Sequence, residues 1–235
     1  MNSVVRYYLL AVFAGFITGA AVGFYVTVEY GRMDLNAAPA EAETSTLSRP
    51  PETSSIPHPA DLPMPDPSLG PSDAPVVLME FCEFECGFCA RYHKETLPQI
   101  IRDYVNAGKI RYVFRNFPLI PGRGDAMNAA IAGECMNLQD KFWEYQAKLF
   151  EKQENLSENA LVEYAVESGA DVSAFRTCLK DPRASAEVWR DIGDAKAQGF
   201  DGTPMFTLNG RQLKGAQPYE AFSQAIEEEL NKTRR

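Results

Sequence analysis

The stretch Val76-Val77-Leu78-Met79-Glu80-Phe81-Cys82-Glu83-Phe84-Glu85-Cys86-Gly87-Phe88-Cys89 decides the fold. Its first seven residues are an apolar run behind Pro75 with one acid inside it, which predicts a buried strand. A Cys-Gly turn follows, and then a helix is expected from about Cys86 to Tyr104, broken or kinked at Pro98. Lys109 to Phe117 alternates and predicts a second strand. Together these make the strand–helix–strand unit from which parallel sheets are built.

Further along, the texture turns helical from Asp125 to about Gln198. Met127, Ile131, Cys135 and Leu138 recur at helical spacing, and Val172, Phe175, Cys178 and Leu179 do so again. Two more helical stretches lie between them, around Phe142–Phe150 and Glu158–Ser168. Then come Gly202-Thr203-Pro204, the run Met205–Leu208, the pair Asn209-Gly210 and the run Arg211–Lys214. Asn-Gly between two short strands is a strong hairpin signal. Tyr219, Phe222, Ile226 and Leu230 line one face of a closing helix, with Glu227, Glu228 and Glu229 mostly on its wet side. The order is βαβ, a helical block, then ββα.

The chain has 235 residues, enough for one sizeable domain with appendages. From Tyr7 to Val28, 22 residues carry no charge, which is long enough to span a membrane as a helix. Arg6 before it and Glu29 after it direct the rest of the chain out of the cytoplasm. A cleaved leader stays open through the small residues Ala38-Pro39-Ala40. Residues 34–72 hold nine of the sixteen prolines and read as an extended tether. The expected organisation is thus an anchor or signal segment at 1–33, a linker at 34–72 and a folded domain at 73–235. Net charges of the blocks 1–34, 35–72 and 73–235 are 0, −4 and −5, for a total of −9. No block is basic, so nucleic acid is excluded as a partner.

Of the five cysteines, Cys86 and Cys89 sit three apart where strand turns into helix. Free N–H groups and the dipole at a helix N-terminus favour the thiolate, so Cys86 is the attacking sulfur. Cys89 lies one turn further in, close enough to bond it. Cys86, Cys89 and His93 also match part of a zinc knuckle, but no suitably spaced fourth ligand follows nearby. Thr203-Pro204 opens a hairpin strand after a glycine, a setting for a cis peptide bond.

With Cys86-Gly-Phe-Cys89 and the Gly-Thr-Pro loop in this order of elements, the domain resembles the thioredoxin fold with a helical insertion at about 121–199. More narrowly it is similar to the DsbA-type thiol-disulfide oxidoreductases, in their membrane-tethered or secreted bacterial branch. Residues 114–119 (Phe-Arg-Asn-Phe-Pro-Leu) and 141–145 (Lys-Phe-Trp-Glu-Tyr) belong to the likeness. The resemblance implies that Cys86 is the exposed nucleophile and Cys89 its buried partner. It implies that Pro204 is a cis-proline packed against them, with Thr203 pairing a substrate backbone. Glu80 matches a buried acid that relays a proton to the inner cysteine, although an acid paired in a salt bridge is the plainer alternative. Cys135 and Cys178, on apolar faces of inserted helices, are read as a structural disulfide, as a second pair forms in some relatives. Two separate buried thiols are the alternative, and an oxidising compartment favours the bridge.

The expected function is disulfide formation in unfolded or partly folded extracytoplasmic proteins, in the periplasm or at the cell exterior. The implied redox partner is a membrane quinone-linked oxidase of the DsbB or vitamin K epoxide reductase type. No cofactor or metal is implied. A reductase or isomerase of the same fold, or a redox-inert assembly module, are the rivals. Strongly oxidising members carry Pro-His where this chain has Gly87-Phe88, and Glu83 and Glu85 stand beside the motif, so a tempered oxidant is expected. Cys82 is read as a core residue, because four extended residues would hold it roughly 13 Å from Cys86. His93 is read as a helix-packing residue, and Trp143 and Trp189 as core or groove aromatics.

Overall fold

The computed structural model describes residues 64–120 and 125–234. The expected membrane segment Tyr7–Val28 and the tether up to residue 63 lie outside the described residues. Among the described residues no helix is long and apolar enough to cross a membrane.

Strands β1 (Ser68–Leu69), β2 (Val76–Cys82), β3 (Ile110–Asn116), β4 (Met205–Leu208) and β5 (Arg211–Lys214) form one sheet in the order β1-β3-β2-β4-β5. β2 runs parallel to β3 and antiparallel to β4, with Glu80 opposite both Phe114 and Phe206. β2 is therefore central, which explains its nearly continuous apolar run. Between β2 and β3 lie α1 (Gly87–Glu95), α2 (Leu97–Ile100) and a π-helical turn at Ile101–Val105. The expected break falls at Thr96, because Pro98 occupies the first turn of α2, where its missing N–H costs nothing. α3 (Ala126–Asn137), α4 (Phe142–Glu151), α5 (Glu158–Glu167), α6 (Val172–Cys178) and α7 (Pro182–Ala197) make the insertion. The Asn209-Gly210 turn closes the β4–β5 hairpin with φ of 47° and 88°, the left-handed conformation that an Asn-Gly pair tolerates. α8 (Tyr219–Thr233) ends the fold.

Side chains alternate across β2, and this sorts the core. Val76 and Leu78 pack with Tyr92, Ile100, Phe222 and Ile226 beneath α1, α2 and α8. Phe81 points to the other face, with Phe117, Val188, Ile192 and Phe200. Glu80 and Cys82 share the parity of Val76 and Leu78, so both are aimed at α1.

Three expectations are corrected. The tether expected up to residue 72 ends sooner, since β1 pairs with β3, Met64 is buried and the Met64 N–H donates to Glu187 at 3.1 Å, so folded structure precedes Asp73. Leu138 is 52% exposed, outside the core, because it falls at a position that the packed faces of the insertion leave to solvent. Glu229 is buried and bonded to Lys232, so the wet side of α8 ends before it.

Beneath β3 the insertion is tied to the sheet by a buried polar knot. Arg115 reaches Asp66 (2.8 Å), Asp191 (2.7 Å) and Asp194 (3.0 Å). Asn116 donates its backbone N–H to Asp191 and its amide to Glu134. Burial pushes the Asp191 carboxyl up to about 7, against the pull of Arg115 and the Asn116 N–H, and raises Glu134 well above the ordinary carboxyl range. A carboxyl whose proton is held more tightly folded than unfolded stabilises the fold most at low pH. Stability from this knot should therefore fall as pH rises from about 4 towards 7, by at most about 4 kcal/mol from Asp191 alone. Urea midpoints across this window should show a flatter profile for Asp191→Asn than for the native chain. Parallel profiles would show that Asp191 carries no such linkage.

Candidate active site

The turn from β2 into α1 is anchored by Phe84, which is fully buried against Phe114 and Phe150 with ring centroids 5.6 and 5.1 Å away. Gln153 clamps the same turn by donating its side-chain amide to the carbonyls of Phe84 (2.6 Å) and Cys86 (3.1 Å). Sequence reasoning missed Gln153. It lies 67 positions beyond Cys86 and no motif marks it.

Cys86 caps α1 in an extended conformation, and its Sγ accepts the Cys89 N–H at 3.4 Å. That bond is the local form of the helix-end stabilisation expected for a thiolate. The Cys86 thiol also donates to the Thr203 carbonyl at 3.4 Å. Cys86 is a free, half-buried cysteine. The Thr203–Pro204 bond is cis, and Pro204 is buried while Thr203 is half-buried. The structure thus brings together Cys86, Cys89 and Thr203-Pro204 from opposite ends of the domain. Phe88 stands 61% exposed beside them, with the Arg91 guanidinium 5.1 Å from its ring centroid.

Cys89 is fully buried, and the sulfur it meets is that of Cys82 rather than Cys86. This corrects the reading of Cys82 as an isolated core residue. The extended-chain distance to Cys86 does not govern this contact, because the turn at Glu83–Glu85 folds α1 back over β2. Cys82, at the end of β2 and on its α1 side, then meets the inner face of α1 with a Cα–Cα separation of 6.3 Å.

Glu80 is fully buried. Its carboxylate accepts from the Tyr112 hydroxyl and meets His93 Nε2 at 3.0 Å. His93 stacks on Phe150 with centroids 4.2 Å apart. The plain packing role expected for His93 is therefore too small, because four residues past Cys89 is one turn along α1, which aims its ring at Glu80. Tyr112 and Tyr92 hold their protons well above the ordinary tyrosine range, through burial and then the Glu80 charge. Glu80, Cys82 and His93 lie mutually within ligand reach of one another, and so do Asp66, Glu187 and Asp191; neither group contains Cys86. Glu85 is exposed. Glu83, expected to oppose the thiolate, instead accepts the Leu119 N–H at 2.9 Å, and burial raises its pKa. In the insertion a disulfide joins Cys135 of α3 to Cys178 of α6, with Cα atoms 5.6 Å apart.

Residues 64–228 match the family model described as Thioredoxin. A Bacillus cereus protein named "Probable disulfide bond formation protein D" is 31% identical over 175 residues, covering 70% of this chain and 79% of that one. Na(+)/H(+) antiporter NhaA 3 of Salinispora tropica is 34% identical over 157 residues, which span 67% of this chain and only 24% of that protein. Among solved structures, oxidised BdbD from Bacillus subtilis superposes with a TM-score of 0.65 at 26% identity, over 71% of this chain and 93% of BdbD.

Proposed function

Because the chain belongs to the thioredoxin family, in its DsbA-type branch of thiol-disulfide oxidoreductases, we propose that it promotes disulfide formation in extracytoplasmic client proteins through Cys86 and Cys89. The observation that carries this reading is the half-buried Cys86 thiol at the start of α1, facing the Thr203 carbonyl, with Cys89 below it. A client thiolate attacks Cys86 Sγ of the Cys86–Cys89 disulfide, and Cys89 leaves as a thiolate. The client's second thiolate then attacks its own bound sulfur, and Cys86 leaves. The helix end favours that departure. Glu80 and His93 form the hydrogen-bonded pair that supplies and removes the proton of the inner sulfur. The half-exposed Thr203 carbonyl is placed to pair with a client backbone. A quinone-linked membrane oxidase, of the DsbB or vitamin K epoxide reductase type, restores the disulfide, and an N-terminal anchor at 1–33 holds the domain beside it. The domain lies in the periplasm or at the cell exterior.

Stoichiometric oxidation of a reduced dithiol peptide by the oxidised chain tests the proposal. The same chain equilibrated against glutathione should show a potential between roughly −120 and roughly −270 mV, the interval between DsbA and thioredoxin. Replacing Gly87-Phe88 by Pro-His should move it towards the oxidising limit, since an added imidazole stabilises the thiolate. Failure to oxidise the peptide would leave the redox-inert module, and a potential at the thioredoxin end would favour the reductase.

A further inference from the structure

We propose that Cys82 is a third redox sulfur, which exchanges with Cys86 for Cys89 and so gives the oxidised chain a second activity, the shuffling of mispaired client disulfides. This rests on the reading of Cys86 as the client-facing nucleophile. Cys89 has a sulfur partner on each side. Cys86 lies one helical turn before it, its Sγ on the Cys89 N–H, and Cys82 lies inward on β2 with its sulfur against that of Cys89. Both Cys82 and Cys89 are fully buried, while Cys86 remains half-buried. Oxidising power held between Cys82 and Cys89 is thus out of contact with solvent reductants. The Glu80 carboxylate and His93 imidazole have atoms within 4.8 Å of the Cys82 sulfur, so a proton acceptor stands where Cys82 needs one.

In the exchange, the Cys82 thiol gives its proton to the His93–Glu80 pair. Its thiolate attacks Cys89 Sγ of the Cys86–Cys89 disulfide. The Cys82–Cys89 bond forms, the Cys86–Cys89 bond breaks, and Cys86 leaves as a thiolate at the start of α1. One disulfide exists before and after, so no external oxidant or reductant enters. The released Cys86 thiolate can then attack a client disulfide, forming a mixed disulfide and freeing a client thiolate. Attack by another client thiolate on the client's bound sulfur returns Cys86 and leaves the client with a new pairing. The chain keeps its own disulfide throughout.

The full chain, oxidised, alkylated at acidic pH and cut with a glutamate-specific protease, decides the matter. Cleavage after Glu80, Glu83, Glu85 and Glu95 puts Cys82 on the fragment Phe81–Glu83 and both other sulfurs on Cys86–Glu95. The expected result is two populations. In one, the fragments are disulfide-linked with Cys86 alkylated; in the other, Phe81–Glu83 is alkylated and Cys86–Glu95 carries an internal disulfide. Finding Phe81–Glu83 only in alkylated form overturns the proposal without any variant. The dithiol-peptide assay on the same sample separates the two readings. An active sample with no Cys82 link sinks the third sulfur alone, and an inactive sample that carries the link upholds it and sinks the oxidase. Reactivation of a scrambled, fully oxidised client by the oxidised chain should be lost in Cys82→Ala. Undiminished reactivation by that variant overturns the shuffling activity.

Discussion

Cells producing the Cys89→Ser variant are expected to accumulate the chain in covalent complexes with client proteins, whereas Cys86→Ser should accumulate none and should lose client oxidation down to the uncatalysed background. The asymmetry follows from position. Cys86 is the accessible member, and its sulfur accepts the Cys89 N–H in the first turn of α1. Cys89 is sealed, so a client sulfur cannot reach it. Without Cys89 the Cys86 thiolate can still attack a client disulfide, but no inner sulfur then attacks Cys86 to displace the client, and Cys82 cannot substitute because the intervening turn keeps it on the inner side. Removing Cys86 leaves Cys82 and Cys89 to each other, with no exit to a client. Non-reducing gels followed by mass identification of the adducts check this. Adducts formed by Cys86→Ser, or through any sulfur other than Cys86 in the Cys89→Ser variant, would reverse the assignment.

Loss of the Cys135–Cys178 bridge should be the most costly change away from the redox turn. The two residues are 43 apart, and closing a loop of that length removes enough unfolded-state entropy to be worth about 4 kcal/mol in the chain-entropy account. A domain's whole stability is about 5–15 kcal/mol, so the double variant Cys135→Ala/Cys178→Ala should sit near the threshold of unfolding. Its thermal midpoint should drop by roughly 10 °C. The bridge joins α3 to α6 at the back of the insertion, so client-oxidation chemistry measured well below the midpoint should change little. Mass mapping of the native protein should find these two cysteines bonded to each other. A stability change below about 1 kcal/mol would mean that packing of Phe175 and its neighbours already holds α6 in place.

What could be read in advance depended on whether the signal was local. β2 matches its apolar run residue for residue, and the Asn209-Gly210 hairpin matches because that pair carries its own turn chemistry. Cys86 and Thr203-Pro204 were legible as motifs, one at a strand-to-helix turn and one at a hairpin entrance. The links between distant segments were not. Cys82–Cys89 needed two facts at once, the face on which β2 presents Cys82 and the angle at which α1 folds back. Counting extended residues to Cys86 captured neither. The role of His93 is not legible from its spacing, because one turn of helix says nothing of what lies opposite, and here Glu80 does. Gln153 reaches the redox turn from the turn just past the end of α4, and a glutamine in a polar stretch carries no periodic signal. β1, only two residues long, falls below any pattern that alternation can reveal.

The point where the chain enters the described fold has a mechanical consequence. Within three residues, the Met64 N–H is held by Glu187, the Pro65 carbonyl by Asn137 and the Asp66 carboxylate by Arg115 and Arg190. A tug on the polypeptide from upstream therefore meets α3, α7 and this ionic clasp before it can peel β1 from β3. Shear across several bonds at once resists better than unzipping them singly. The strain path runs into the insertion, away from the turn that carries Cys86, and the thiol chemistry is insulated from tension in whatever precedes Met64.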